Sequence, residues 1–237
     1  MESLPQSFIM KATHLHAMEG VVSVNNGTVT CLFGDVALCS AQKKGESLLT
    51  YLQRTCDALL SVQTPMKDRP KCLFEEQLPL FETNFFDYKF HVFHGKTMFI
   101  DISPSHFIAE RDKVKFFRTP DWKELPEKKI DVWGAHLGTN NDTLGPRPVF
   151  LDELLEEASA LHKAVEERLD YKLAFLRVDF IVVGTAHYFG EFTFYLDKCN
   201  AYFEKGSIAN KLYGFVATHP ELDIPASVIH VIGASGE

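Results

Sequence analysis

The hydrophobic pattern singles out one hairpin. Residues Ala174 to Val183 are almost wholly apolar, rich in β-branched and aromatic side chains, with Arg177 and Asp179 as their only charges. That pattern predicts a buried strand. Gly184-Thr185-Ala186 then leads into a second strand, His187 to Tyr195, over a connection short enough to force antiparallel pairing. With the turn centred on Thr185, Asp179 lies opposite Glu191 and Arg177 opposite Thr193. Side chains alternate along strands, so all four share one face.

The rest of the chain reads as mixed structure. Residues 7 to 12, 21 to 25 and 28 to 33 read as short strands, with Asn26-Gly27 as a hairpin turn between the last two. From Ser47 to Leu60, apolar residues at Leu48, Leu49, Leu52, Cys56, Leu59 and Leu60 have the spacing of an amphipathic helix. The polar, proline-bounded stretch Pro65 to Pro70 suits a hinge. Strands follow at about 71 to 78, 87 to 94 and 97 to 103, the last two joined through Gly95-Lys96. Leu151 to Leu169 is the clearest helix: Leu151, Leu154, Leu155, Ala158, Leu161, Val165 and Leu169 share a face, and Asp152 and Glu153 complement the dipole at its start. The expected organisation is α+β, with a small unit over residues 1–70, a core over 71–215 and a tail over 216–237 without an assigned role.

Composition narrows the class. The 237 residues are 46% hydrophobic and include 20 Phe, which fits a filled globular core rather than disorder. A net charge of −8 without a basic run argues against a nucleic-acid surface. No apolar stretch approaches the ~20 residues needed to span a bilayer, and the N-terminus lacks a basic region followed by an apolar segment. Five cysteines without a CxxC pair suit a reducing compartment. Cys31, Cys39, Cys56, Cys72 and Cys199 are expected as small buried hydrophobes, and the location as cytoplasmic.

The hairpin carries the chemistry. Directly opposed β-carbons lie ~4.5 to 5.5 Å apart. Two carboxylates at about 5 Å repel by roughly 3 kcal/mol at an effective dielectric of about 20, so among apolar neighbours something must neutralise them. A hard cation such as Mg²⁺, held by one or two carboxylates plus substrate phosphates, is one candidate. The other is an ion pair between one carboxylate and Arg177, with the second carboxylate at a wet sheet edge. Spacing alone does not choose. Arg111, Lys113, Lys115 and Arg118, interleaved with Phe116 and Phe117, could contact phosphates or form a solvated edge strand guarded by charge.

R-x-D-F, a short turn and G-E-x-T-F, from Arg177 to Phe194, resemble the terminal metal-binding hairpin of ATP-grasp carboxylate-amine ligases, and most closely the TupA-like branch associated with teichuronopeptide and surface-glycan biosynthesis. Three further blocks extend the resemblance in the right order. Leu4 to Lys11 is similar to the lid strand that ends in a phosphate-binding lysine. Lys71 to Leu78 is similar to the hinge strand that hydrogen-bonds adenine, and Asp87-Tyr88-Lys89-Phe90 to the strand whose acid meets ribose. His94-Gly95-Lys96, Asp121-Trp122 and Leu125-Pro126 resemble branch-specific positions.

The resemblance implies an ATP-grasp fold, two α+β subdomains with ATP bound between them. It implies Mg²⁺ on Asp179 and Glu191, with Thr193 where the wider superfamily has Asn. Arg177 and Lys11 become the catalytic phosphate contacts. Lys11, Glu75, Glu76, Gln77, Leu78, Asp87, Lys89 and Arg177 become the nucleotide-binding set. Glu75 and Glu76 point to opposite faces of a strand, so only one of them can face the nucleotide. Lys11 could also be a strand-end lysine reaching solvent, and Asp87 a strand-start cap.

The implied reaction is attack of a carboxylate on the γ-phosphate of ATP, followed by displacement by an amine, on small-molecule or glycan-linked substrates. Two departures leave other functions open. The segment after Lys11, Ala12 to Gly20, holds one glycine, two histidines (His14 and His16) and Glu19, where phosphate-cradling loops need little bulk. The resemblance also begins almost at Met1, without the domain that usually precedes the lid. A non-catalytic remnant that binds nucleotide or a protein partner, and a glycosyltransferase-associated accessory protein, are the alternatives.

Overall fold

The computed structural model describes residues 5–13, 21–33, 42–62, 71–78, 85–104, 116–125, 129–130, 136–137, 147–194, 203 and 206–224. His14, His16, Glu19, Cys39, Arg111, Lys113, Lys115, Pro126 and Cys199 lie outside them. The chain divides into two compact units, Met1–Leu80 and Phe81–Glu237.

In the first unit, β1 (Ser7–Ala12), β2 (Val21–Asn25), β3 (Thr28–Phe33) and β4 (Cys72–Glu76) form one antiparallel sheet in the order β3-β2-β1-β4. Helix α1 (Leu48–Leu60) covers one face. Period-two alternation drives this packing. Phe8 and Met10 of β1 and Val22 and Val24 of β2 are buried against Tyr51, Leu52 and Leu59 of α1, each worth about 1.5–3 kcal/mol of transfer free energy. Asn26 and Gly27 both have positive φ, as a two-residue turn between right-twisted strands requires. Ser47 caps α1 by accepting a hydrogen bond from the Thr50 N–H at 3.1 Å. Leu49, counted on the apolar face, is instead 58% exposed.

Two expectations change in this unit. The strand at 71–78, expected to open the core domain, pairs with β1 (Ile9 opposite Glu75, Lys11 opposite Leu73) and belongs to the first unit. Cys56 and Cys72, expected as reduced hydrophobes, form a disulfide that ties α1 to β4, and Cys31 is disulfide-bonded as well. Thiol content alone could not reveal this, because only the fold brings the α1 and β4 sulfurs together.

The second unit is built on β5 (Phe86–Phe93), β6 (Lys96–Pro104), β7 (Phe116–Arg118), β10 (Phe175–Val183) and β11 (Ala186–Thr193), in the order β11-β10-β5-β6-β7, all antiparallel. Between β7 and β10 come a small separate ladder, β8 (Lys129–Ile130) with β9 (His136–Leu137), and helix α2 (Leu151–Leu169). One face of the large sheet, with Tyr88, Phe90, Ile100, Ile102, Val178 and Phe180, packs on Leu151, Leu154 and Ala158 of α2. Asp170 ends α2 in the left-handed region at φ 51°.

The opposite face is divided. At one end Phe93, Phe99 and Phe117 pack with Phe203 and with Leu212 and Val216 of α3 (Ile208–Thr218). The remainder carries the charged residues. α3 was not anticipated, and it runs through the boundary expected at residue 215. Its signal was present: Ser207 caps it by accepting from the Asn210 N–H at 3.2 Å, followed by apolar Ala209, Leu212 and Val216 at helical spacing.

Candidate functional site

The site face is ordered by strand register. Asp179 of β10 lies opposite Lys89 of β5, which lies opposite Asp101 of β6. One step along, Arg177 lies opposite His91 and, on the other side, Thr193. Ile181 lies opposite Asp87. Period two therefore brings Asp87, Lys89, Asp101, Arg177 and Asp179 to one face.

The β10–β11 register corrects the expected turn. Val183 pairs with Ala186, so the turn is the two residues Gly184-Thr185, not a connection centred on Thr185. That register would offset Arg177 from Thr193 by one. A β-bulge between Val178 and Phe180 restores it, and Arg177 does face Thr193. Asp179 consequently faces two residues of β11, Gly190 and Glu191, instead of Glu191 alone. Gly190 suits this close approach, because a Cβ at that position would lie 3.1 Å from the Asp179 carbonyl oxygen. The G-E-x-T-F motif begins at Gly190, but sequence reading gave it no bulge role, although a glycine inside a strand pattern is the recognised signal for one.

Arg177 is the hub. Its Nε and Nη2 donate to the two carboxylate oxygens of Asp179, each at 2.7 Å, and Nη2 also donates to Glu191 Oε1 at 2.9 Å. The Thr193 hydroxyl donates to the same Glu191 oxygen at 3.4 Å. Lys89 Nζ donates to Asp179 Oδ2 at 3.1 Å and also pairs with Asp87. Asp179 is 2% exposed, whereas the Glu191 side chain is 65% exposed at the edge strand. Arg177 thus pairs with both carboxylates, the buried Asp179 and the largely exposed Glu191.

Burial and charge act against each other here. Burial alone would lower the Lys89 ammonium, but the Asp87 and Asp179 carboxylates overcome it and hold Lys89 above the usual lysine value. Arg177 is likewise pulled down by burial and carried above its ordinary value by Asp179, Glu191 and Asp101. Both remain charged. Among the described residues, the carboxylates of Asp87, Asp101, Asp179 and Glu191 gather on this face around Lys89 and Arg177. Asp101, 1% exposed, is the acid that sequence reading missed. It sits in an apolar run, Met98-Phe99-Ile100-Asp101-Ile102, and a lone charge in such a run was the available signal. Behind Arg177, the His91 Nδ1 meets the hydroxyl of Tyr213 from α3, and burial raises that phenol well above its usual value.

The first-unit residues are placed as follows. Lys11 Nζ pairs with Glu75 at 2.7 Å, both side chains partly exposed. Alternation therefore puts Glu75 on the face of Lys11 and Glu76 on the other, beside Phe74, which touches Phe8. The Gln77 side-chain oxygen accepts from the Ser23 hydroxyl at 3.2 Å, and its backbone N–H donates to the Ser7 carbonyl. Leu78 follows directly, half-buried. Of the basic stretch, Arg118 is described. Its side chain is 12% exposed and lies 3.7 Å from Glu124, so it is not a solvated edge charge. Trp122, in the left-handed region at φ 65°, stacks on Tyr88.

Residues 1–213 match the family described as TupA-like ATPgrasp, and the chain belongs to that family. Among solved structures it is similar to the D-alanine–D-alanine ligase from Bacillus anthracis, at 13% identity and a TM-score of 0.40, covering 100% of this chain and 61% of that one. The chain thus spans less than two thirds of that ligase. No curated protein matches it. Among the described residues no helix is long and apolar enough to cross a membrane.

Proposed function

We propose that the chain is an ATP- and Mg²⁺-dependent ligase that joins a carboxylate to an amine through an acyl phosphate, in glycan or surface-polymer biosynthesis. The observation that carries this reading is the Arg177–Asp179–Glu191 cluster on a bulged hairpin, in a chain of the TupA-like ATP-grasp family. The donor set suits a hard dication. Asp179 and Glu191 supply carboxylate oxygens and Thr193 a neighbouring hydroxyl. Mg²⁺ bound there would supply charge neutralisation to the transferring phosphoryl group.

The chain's own residues do the rest by position and charge. Arg177 would present its planar fork of donors to phosphate oxygens. Lys89 orients Asp179 through its hydrogen bond to Oδ2. Lys11 exchanges Glu75 for phosphate. β4 is the edge strand of its sheet, so along Glu75 to Leu78 the backbone groups directed away from β1 are the ones an adenine ring would use. Asp87, at the end of its row, accepts from ribose hydroxyls. The single glycine between Ala12 and Gly20 favours a second reading, binding of nucleotide without turnover.

Calorimetry with ATP tests both. Nucleotide binding is expected to require Mg²⁺, and Asp179→Asn or Glu191→Gln to remove that requirement. Absence of binding by the unmodified chain defeats both readings. Release of ADP that depends on an added carboxylate and amine then separates the ligase from the binding protein.

A further inference from the structure

A second group of ligating side chains lies on the other face of the same sheet. Glu153 and Glu157, one turn apart on α2, converge with His187 of β11, and one ligand atom from each lies within 4.8 Å of the others. His187 pairs with Val182, on the helix-facing side of β10, whereas Asp179 belongs to the opposite side. The sheet therefore separates this group from the hairpin site.

Three features make it more than a pair of surface acids. The His187 ring is fixed between the rings of Phe150, at 5.3 Å, and Phe180, at 6.0 Å, so its direction is set by packing. Its Nε2 lies 3.1 and 3.2 Å from the two oxygens of Glu157, the face a bidentate carboxylate would turn to a shared ion. Among the described residues no lysine or arginine pairs with Glu153 or Glu157, although Asp152 beside them is matched by Arg147 at 2.5 Å.

We propose that Glu153, Glu157 and His187 form a site for a transition-metal dication, Zn²⁺ foremost, with water completing the shell. An imidazole nitrogen with two carboxylates is the donor set that such ions accept, whereas Mg²⁺ prefers oxygen alone. Three protein ligands leave open positions, and two of the three come from one helix at i,i+4, where geometry is held by the backbone. The ion would tie α2 to β11, the strand that carries Glu191.

Co²⁺ is the probe, because its visible absorption reports inner-sphere ligands. The titration is made in the Glu191→Gln variant with Mg²⁺ in excess, so that the hairpin carboxylates do not contribute. One equivalent is expected to bind at micromolar concentration and to be displaced by Zn²⁺. In that background His187→Gln should abolish the spectrum. Glu153→Gln, a change at an exposed position that leaves folding intact, should weaken binding at least tenfold. Absence of a spectrum, or binding that either added substitution leaves unchanged, overturns the proposal.

Discussion

Replacing Lys89 by Met tests the electrostatic account of the site. The substitution keeps an unbranched stem of similar volume and removes only the ammonium. Lys89 Nζ stands 3.1 Å from Asp179 Oδ2, with side-chain exposures of 9% and 3%, and it pairs with Asp87 as well. At an effective dielectric of about 20, one such contact is worth about 5 kcal/mol of gross attraction, much of it offset by the desolvation of both groups. Deletion leaves Asp179 with Arg177 as its remaining partner and Asp87 without its ammonium, so the expected loss is about 1–3 kcal/mol.

Both tryptophans, Trp122 and Trp133, lie in the second unit, so urea unfolding followed by tryptophan fluorescence reads that unit selectively. Lys89→Met should lower the midpoint strongly. The double variant Lys89→Met/Asp87→Asn should recover much of the loss, because it removes the stranded carboxylate with its partner. Lys163→Met, which breaks an ion pair at 3.8 Å between side chains 75% and 69% exposed, should leave the midpoint in place. A Lys89→Met loss under about 1 kcal/mol, or no recovery in the double variant, would falsify the claim that burial makes this ammonium structural.

Three other outcomes are expected. Gly190→Ala should cost about 1–3 kcal/mol by overpacking, since the new Cβ meets the Asp179 carbonyl at 3.1 Å, and should weaken Mg²⁺-dependent nucleotide binding; wild-type stability in urea would refute it. His162 is 1% exposed, and burial lowers its pKa against the opposing pull of Glu166, with His94 and Lys172 also acting on it. A depressed folded pKa means that protons bind the unfolded chain first. Stability is therefore full above about pH 6.5 and falls as pH drops below that value; His162→Phe should flatten the decline, and an unchanged slope between pH 7 and 5 would count against it. Finally, Cys56 and Cys72 are separated by 16 residues, a loop whose closure is worth about 3 kcal/mol in the chain-entropy account. Scanning calorimetry of Cys72→Ala should show that loss, and reductant should destabilise the natural chain by at least as much, since Cys31 is disulfide-bonded too.

Local chemistry made most elements legible. The helix expected over Leu151 to Leu169 has those bounds in the structure, because its apolar residues at helical spacing bury one stripe, although Leu169 at its end is 53% exposed. β1 to β3 also match their expected ranges, since alternation and Asn26-Gly27 fix both period and turn. The charge pattern of the site was legible too: Arg177 and Asp179 interrupt an apolar strand, and such charges need partners.

The partners were decided by tertiary structure. Lys89 and Asp101 reach Asp179 only because β5 lies between β10 and β6, an order that no local pattern encodes. The bulge at Gly190 depends on how a two-residue turn is reconciled with the register farther along, which is a property of the paired strands. The Cys56–Cys72 bond and the convergence of His187 on Glu157 likewise join elements distant in sequence. Period and propensity act within about one turn or one strand and so determine elements and faces. Which faces meet, and which charges then neutralise one another, is set by packing across the sheet.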